Sequence, residues 1–186
     1  MKIITIPNII TATRGVLIVV IALCVLSYSP DKDYLRLICA ALMVPVILSD
    51  ILDGKIARKL NQETKLGAIL DSVTDMMGFM LAFVFLTFID TGMKFPLWFA
   101  SIVVAREIIV YGFFLFLLLK FRDFSKKTHP SGKYNTLVLS ICVLALFLRF
   151  EYSIFLWVIG AILTVISGVE NVNSGLKFLD KKRNGN

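Results

Sequence analysis

The chain has 186 residues, 58% of them hydrophobic, with a mean hydropathy of +0.83. Soluble domains run at about 45–50% apolar, and the excess here comes in long blocks, so the solvent these blocks suit is lipid. The net charge of +7 does not argue for nucleic acid: the basic residues bracket the apolar blocks, as expected of a membrane protein facing anionic headgroups.

Taken in chain order, the opening MKIITIPNIITATR holds an arginine where a cleavable apolar core would be, so it does not read as a signal peptide. Six spans follow, at about 9–27, 34–53, 68–89, 95–119, 135–150 and 152–172, each near the roughly 20 residues a helix needs to cross the hydrocarbon. Pro7 and Pro96 stand at helix entrances, where a missing N–H is harmless. Pro45 lies inside the second span and is expected to kink it before an acidic stretch. The fifth span is short and the sixth runs into the polar GVENVN. No internal repeat or second domain is visible. The expectation is an all-α integral membrane protein: one domain over 1–186, six transmembrane helices in one bundle.

Of the lysines and arginines, fourteen fall on the side that carries both termini, the 54–67 connection and the 120–133 connection, against four on the other side. That asymmetry predicts cytoplasmic termini. Cys24, Cys39 and Cys142 sit in apolar runs without ligand partners at metal spacing and read as small hydrophobes. His129, the sole histidine, lies in a polar connection and makes a poor catalytic candidate.

The segment SDILDGKIARKLNQETKLGAILDSVTD at 49–75 carries the chemistry. Asp50 and Asp53 are three apart at the cytoplasmic end of the second span; Asp71 and Asp75 are four apart at the start of the third. Each pair shares a helix face, and a hairpin through 54–67 brings both pairs to one depth. A single charge at mid-membrane costs roughly 2.5–3.5 kcal/mol on insertion scales, and mutual repulsion adds to that. Divalent cations relieve it, and hard carboxylate oxygens suit Mg²⁺ or Mn²⁺. Two such ions can clamp a phosphoryl group during displacement. Gly54 and Gly67 allow close backbone approach, Ala57 keeps the surface small, and Arg58 offers a planar fork to a phosphate. The bland alternatives are helix-end carboxylates reaching water, and a favourable helix-dipole interaction for Asp71 and Asp75. An ion transporter would also explain intramembrane acids, but it predicts acids near mid-bilayer and often an inverted repeat.

The string D-x-x-D-G-x-x-A-R followed by G-x-x-x-D-x-x-x-D resembles the signature of the CDP-alcohol phosphatidyltransferase family, and all eight fixed positions are filled by Asp50, Asp53, Gly54, Ala57, Arg58, Gly67, Asp71 and Asp75. The likeness extends to IPNIITATR with Asn8, Thr11 and Arg14, to AREIIVYG at 105–112 and to ISGVE at 166–170. It points to the branch holding bacterial phosphatidylglycerophosphate synthases and related cardiolipin synthases. The resemblance implies transfer of a phosphatidyl group from CDP-diacylglycerol to an alcohol with release of CMP, in phospholipid biosynthesis at the cytoplasmic membrane. It implies that Asp50, Asp53, Asp71 and Asp75 hold two divalent ions, and that Asp50, Gly54, Ala57, Arg58 and Gly67 form the CDP site. Asp75 would be the base toward the acceptor hydroxyl, and the enzyme a homodimer.

The positions that bear on the acceptor point in two directions. The chain reads LDSVTDM where glycerophosphate-using members usually read LDPxADK, has Phe114 where a second arginine is common, and has Asn135 in place of a lysine. These departures lean toward cardiolipin synthases, which accept phosphatidylglycerol. The short chain, the Arg106–Glu107 pair and ISGVE favour glycerol 3-phosphate; an inositol phosphate acceptor is a further alternative. Arg106, Lys126 and Lys133 are the candidate acceptor-binding cations. Against that, Arg106 and Glu107 make a plausible structural ion pair, Lys126 and Lys133 plausible headgroup or solvated cations, and Glu170 and Asn171 plausible helix–helix hydrogen-bonding residues.

Overall fold

A computed structural model describes residues 6–59, 65–88, 93–121 and 130–183, with backbone alone at 6–8, 50–59, 65–73, 75 and 130. Every apolar block is a helix: α1 (Ile6–Leu26), α2 (Tyr34–Lys59), α3 (Lys65–Phe88), α4 (Leu97–Lys120), α5 (Pro130–Phe147) and α6 (Ser153–Arg183), with a 3-10 turn at Pro30–Lys32. Ile9–Leu26, Leu97–Lys120 and Ser153–Arg183 are long and apolar enough to cross a membrane; Tyr34–Ser49, Met76–Phe88 and Ser131–Phe147 are shorter apolar stretches.

Two helices run past the C-terminal ends expected of them. α2 continues through Pro45 and past Asp53 to Lys59, because KIARK supplies good helix formers after Gly54. Gly54, Ala57 and Arg58, expected in the connection, are therefore helical. α6 runs on from 172 to Arg183, since Glu170 and Asn171 of the polar GVENVN find hydrogen-bond partners there.

The chain divides into two compact units, one formed by 1–95 with 143–150, the other by 96–142 with 151–186. In the first, α1 packs against both α2 and α3. Among the described side chains of α1, Thr11, Arg14, Ile21 and Val25 are buried, a three-and-four spacing that defines one inner stripe. It is polar in its first half and apolar in its second. The ring of Phe83 stacks on Phe95 at 4.7 Å.

In the second unit, α4 packs along α6. The buried stripe of α4 is bulky, with Phe99, Val103, Val110, Phe114 and Leu117. That of α6 is small, with Gly160, Ala161, Thr164, Ser167, Asn171 and Gly175. Large side chains on one helix meet small ones on the other, which lets the backbones approach closely. Val110, Phe114 and Leu117 pack with Phe113, Phe121, Val172 and Leu179 into one apolar cluster. Phe114, where an acceptor-binding arginine was a possibility, is a core residue of that cluster.

Candidate active site

The continuous helix over 34–59 puts Asp50, Asp53, Gly54, Ala57 and Arg58 at i, i+3, i+4, i+7 and i+8, so five motif positions share one helix face. On α3, Gly67, Asp71, Thr74, Asp75 and Gly78 follow i, i+4, i+7, i+8 and i+11. This side of α3 meets α1. A Cβ placed on Gly15 would lie 3.6 Å from Thr74 Cγ2, and one placed on Gly78 would lie 2.9 Å from Ile18 Cδ1. Position 15 meets Thr74 at ordinary van der Waals distance, whereas glycine at 78 leaves room for the Ile18 side chain.

Three contacts fix the register. The 15-to-74 and 18-to-78 pairs run in the same sense, so α1 and α3 are parallel. Cys39 Sγ lies 3.9 Å from Ile21 O across the chain reversal at Pro30–Lys32, so α2 is antiparallel to α1. Counting about 1.5 Å per residue from these marks, Asp50 and Asp71 come level with Thr11, and all four aspartate positions fall within roughly 13 Å of helix axis. Arg14, only 2% exposed, and buried Thr11 occupy the inner stripe of α1 in that same slab. A guanidinium is kept out of water only where acceptors or anions meet it, and Arg14 stands at the level of the four aspartate positions.

Arg14 was absent from the expected site residues, although its sequence signal is plain: an arginine three residues after a threonine inside an apolar block. The side chains of Asp50, Asp53, Ala57, Arg58, Asp71 and Asp75, and the whole of Lys126, lie outside the described residues. Among the described residues no cluster of acidic, histidine or cysteine side chains is placed to hold a metal ion.

The second unit holds a polar seam of its own. Arg106 Nη1 donates to Glu107 Oε1 at 2.6 Å and Nη2 to Ser167 Oγ at 2.9 Å. Asn171 Nδ2 donates to Ser167 O at 2.7 Å and Oγ at 3.3 Å. Ser131 donates to the Glu170 carboxylate, tying α5 to α6, whereas Asn171 Nδ2 bonds within α6. Thr164 Oγ1 donates to Asn135 Oδ1 at 2.8 Å. AREIIVYG and ISGVE, 61 residues apart at Arg106 and Ser167, thus form one layer. Lys133 is exposed, next to exposed Tyr134, while Gly132 and Asn135 on the same helix face Ser167 and Thr164.

A family model for CDP-alcohol phosphatidyltransferase matches residues 4–167, a stretch that takes in both acidic helix faces and the α1 stripe. The chain belongs to the CDP-alcohol phosphatidyltransferase family. It is 30% identical to a CDP-diacylglycerol--glycerol-3-phosphate 3-phosphatidyltransferase of Aquifex aeolicus, over 95% of this chain and 99% of that protein. It is 33% identical to a CMP-forming cardiolipin synthase of Streptomyces coelicolor, over 57% of this chain and 48% of that protein. A CDP-diacylglycerol--inositol 3-phosphatidyltransferase of Schizosaccharomyces pombe is 43% identical over 38% of this chain and 27% of its own length. The likeness to the Aquifex aeolicus member of the family runs the length of both chains, whereas the likenesses to the other two are partial.

Proposed function

We propose that this family member is a phospholipid-biosynthetic membrane enzyme that transfers the phosphatidyl group of CDP-diacylglycerol to glycerol 3-phosphate and releases CMP. The observation that carries the reading is the alignment of the eight motif positions on two helix faces, with the four aspartate positions level with the part of α1 that holds Thr11 and Arg14. The end-to-end likeness to a glycerol-3-phosphate phosphatidyltransferase supports that acceptor.

In this reading the whole chain is one domain of six transmembrane helices in the cell membrane, with both termini and the acidic site facing the cytoplasm. Asp50, Asp53, Asp71 and Asp75 would hold two divalent ions, Mg²⁺ or Mn²⁺, which supply charge neutralisation at the diphosphate. Asp50, Gly54, Ala57, Arg58 and Gly67 bind CDP: the glycines admit the backbone close to the nucleotide and Arg58 pairs with phosphate oxygens. Asp75 takes the proton from the acceptor hydroxyl. That oxygen forms a bond to the lipid-linked phosphorus as the bond to CMP breaks, and the electron pair leaves on the CMP phosphate. Arg106 meets the acceptor's phosphate, and Lys126 and Lys133 draw the anion to the surface. The functional unit is a homodimer embedded in membrane lipid.

A second reading, transfer to phosphatidylglycerol, draws on Asn135 and Phe114: both are buried, and neither brings a cation. Purified chain with labelled CDP-diacylglycerol and Mg²⁺ is to be offered glycerol 3-phosphate, phosphatidylglycerol and inositol phosphate in turn. CMP release with glycerol 3-phosphate alone supports the first reading. Release only with another acceptor replaces it.

A further inference from the structure

The guanidinium of Arg106 is held more elaborately than an ion pair with Glu107 requires. Its side chain is 13% exposed and that of Glu107 3%, so the pair alone neutralises the charge. Ser167 nevertheless accepts from Nη2 at 2.9 Å, and Asn171 donates to the same hydroxyl oxygen at 3.3 Å. Two donors on one oxygen fix the serine rotamer. The stem is fixed as well: a Cβ on Gly168 would stand 3.1 Å from Arg106 Cγ, so the arginine lies across a notch in α6. Arg106 Nε has no hydrogen-bond partner among the described residues. A guanidinium has five N–H donors in a rigid fork; with one nitrogen on Glu107 and another on Ser167, the fork is oriented and not saturated. That is the condition in which it can take an oxyanion through two parallel bonds.

We infer that Ser167 is a positioning residue: seated by Asn171 and assisted by the Gly168 notch, it aims the Arg106 fork at the phosphate monoester of the acceptor. The inference rests on the proposed transfer to glycerol 3-phosphate. It assigns a task to ISGVE, which the donor site leaves without one. Ser167 makes no contact with the reacting atoms, so its loss acts on acceptor affinity and leaves the chemical step intact.

The test uses the full chain in lipid nanodiscs, with CMP release measured while glycerol 3-phosphate is varied at saturating CDP-diacylglycerol, and then the reverse. Ser167→Ala is expected to raise KM for glycerol 3-phosphate about tenfold, about 1.4 kcal/mol, with KM for CDP-diacylglycerol and kcat within twofold of wild type. Ser167→Thr keeps the hydroxyl, and Gly132 leaves space beside it, so KM returns to near the wild-type value. If Ser167→Ala does not fold, Gly168→Ala displaces the Arg106 stem instead and is expected to give the same split. Unchanged KM for glycerol 3-phosphate, or equal changes for both substrates, overturns the positioning role while wild-type turnover leaves the proposed function standing. A wild-type protein that releases no CMP with glycerol 3-phosphate overturns both.

Discussion

Thr164 on α6 donates its hydroxyl to Asn135 Oδ1 on α5 at 2.8 Å, at a position where Asn135 is only 1% exposed. Read from the sequence, Asn135 is a missing positive charge; in the fold it is half of a buried hydrogen-bonded pair. Restoring a lysine there therefore does not restore an acceptor site. We expect Asn135→Lys to lower the yield of folded protein and leave KM for glycerol 3-phosphate no better, because it buries an ammonium and removes the acceptor of the Thr164 hydroxyl. Thr164→Val strands the asparagine oxygen and costs about 1–3 kcal/mol, whereas the double replacement Asn135→Leu with Thr164→Val is milder than the sum. Heating in detergent followed by size exclusion measures the series.

The turn that closes α5 gives a pH test. Arg149 adopts φ 52°, with Arg149 N bonded to Leu146 O and Phe150 N to Ala145 O, the helix-ending arrangement that usually takes glycine. Its guanidinium lies 3.3 Å from Asp33 and donates to Tyr28 at 3.1 Å. Arg36 bonds both Asp33 oxygens and also Phe147 O. The hydrogen bonds from Arg36, with help from Tyr28 and Arg149, hold the Asp33 carboxyl at about 2. A depressed carboxylate stabilises the fold above its unfolded value and loses that contribution as pH falls towards about 2. Thermal midpoints should therefore drop between pH 4 and pH 2 (the model-peptide carboxylate titrates at about 3.9), and Asp33→Asn should remove that part of the drop. At neutral pH, Arg149→Ala should destabilise more than Arg149→Gly, since glycine relieves the backbone while both lose the guanidinium.

Close helix packing in the second unit ranks two glycine substitutions. A Cβ on Gly160 would lie 3.3 Å from the Phe99 ring and from Cys142 Sγ. One on Gly175 would run into Phe113 and stand 3.0 Å from Leu117 Cδ1. Alanine returns about 1 kcal/mol of helix propensity in either case, while overpacking costs about 1–3 kcal/mol. Gly160→Ala is expected to be close to neutral and Gly175→Ala destabilising, as measured by thermal midpoint in detergent.

These residues also mark what the sequence could reveal. Six apolar blocks became six helices because hydropathy is local and each block is long enough to declare itself. The acidic motif was legible for the same reason, its spacings being helical ones. Helix ends were not: an apolar window stops at the first charge, but α2 and α6 continue through lysines, arginines and small polar residues that favour helix. Pairings across the chain were hidden too. Nothing local links Arg106 to Ser167, or tells that Asn135 faces Thr164 while neighbouring Lys133 faces outward. Arg14 looked like one of two arginines stranded in spans until the inner stripe of α1 placed it among the acidic positions.

The division of labour within the acidic motif yields the last test. Asp75 sits one residue beyond Thr74, which abuts α1 beside Gly15, at the inner end of the slab; Asp50 and Asp71 lie about one helical turn further out. Replacing Asp75 with asparagine keeps the side-chain volume and removes the proposed proton acceptor. CMP release should fall by about 10²–10⁴-fold, with folding unaffected and CDP-diacylglycerol still protecting the protein against heating. Asp50→Asn, by contrast, should weaken that protection, because it removes a group proposed to hold both cation and nucleotide. Chelation of divalent ions should abolish turnover of the wild type, and Mg²⁺ or Mn²⁺ should restore it. An Asp75→Asn protein that retains turnover would assign the base elsewhere, with thermal protection by CDP-diacylglycerol as the control that the donor still binds.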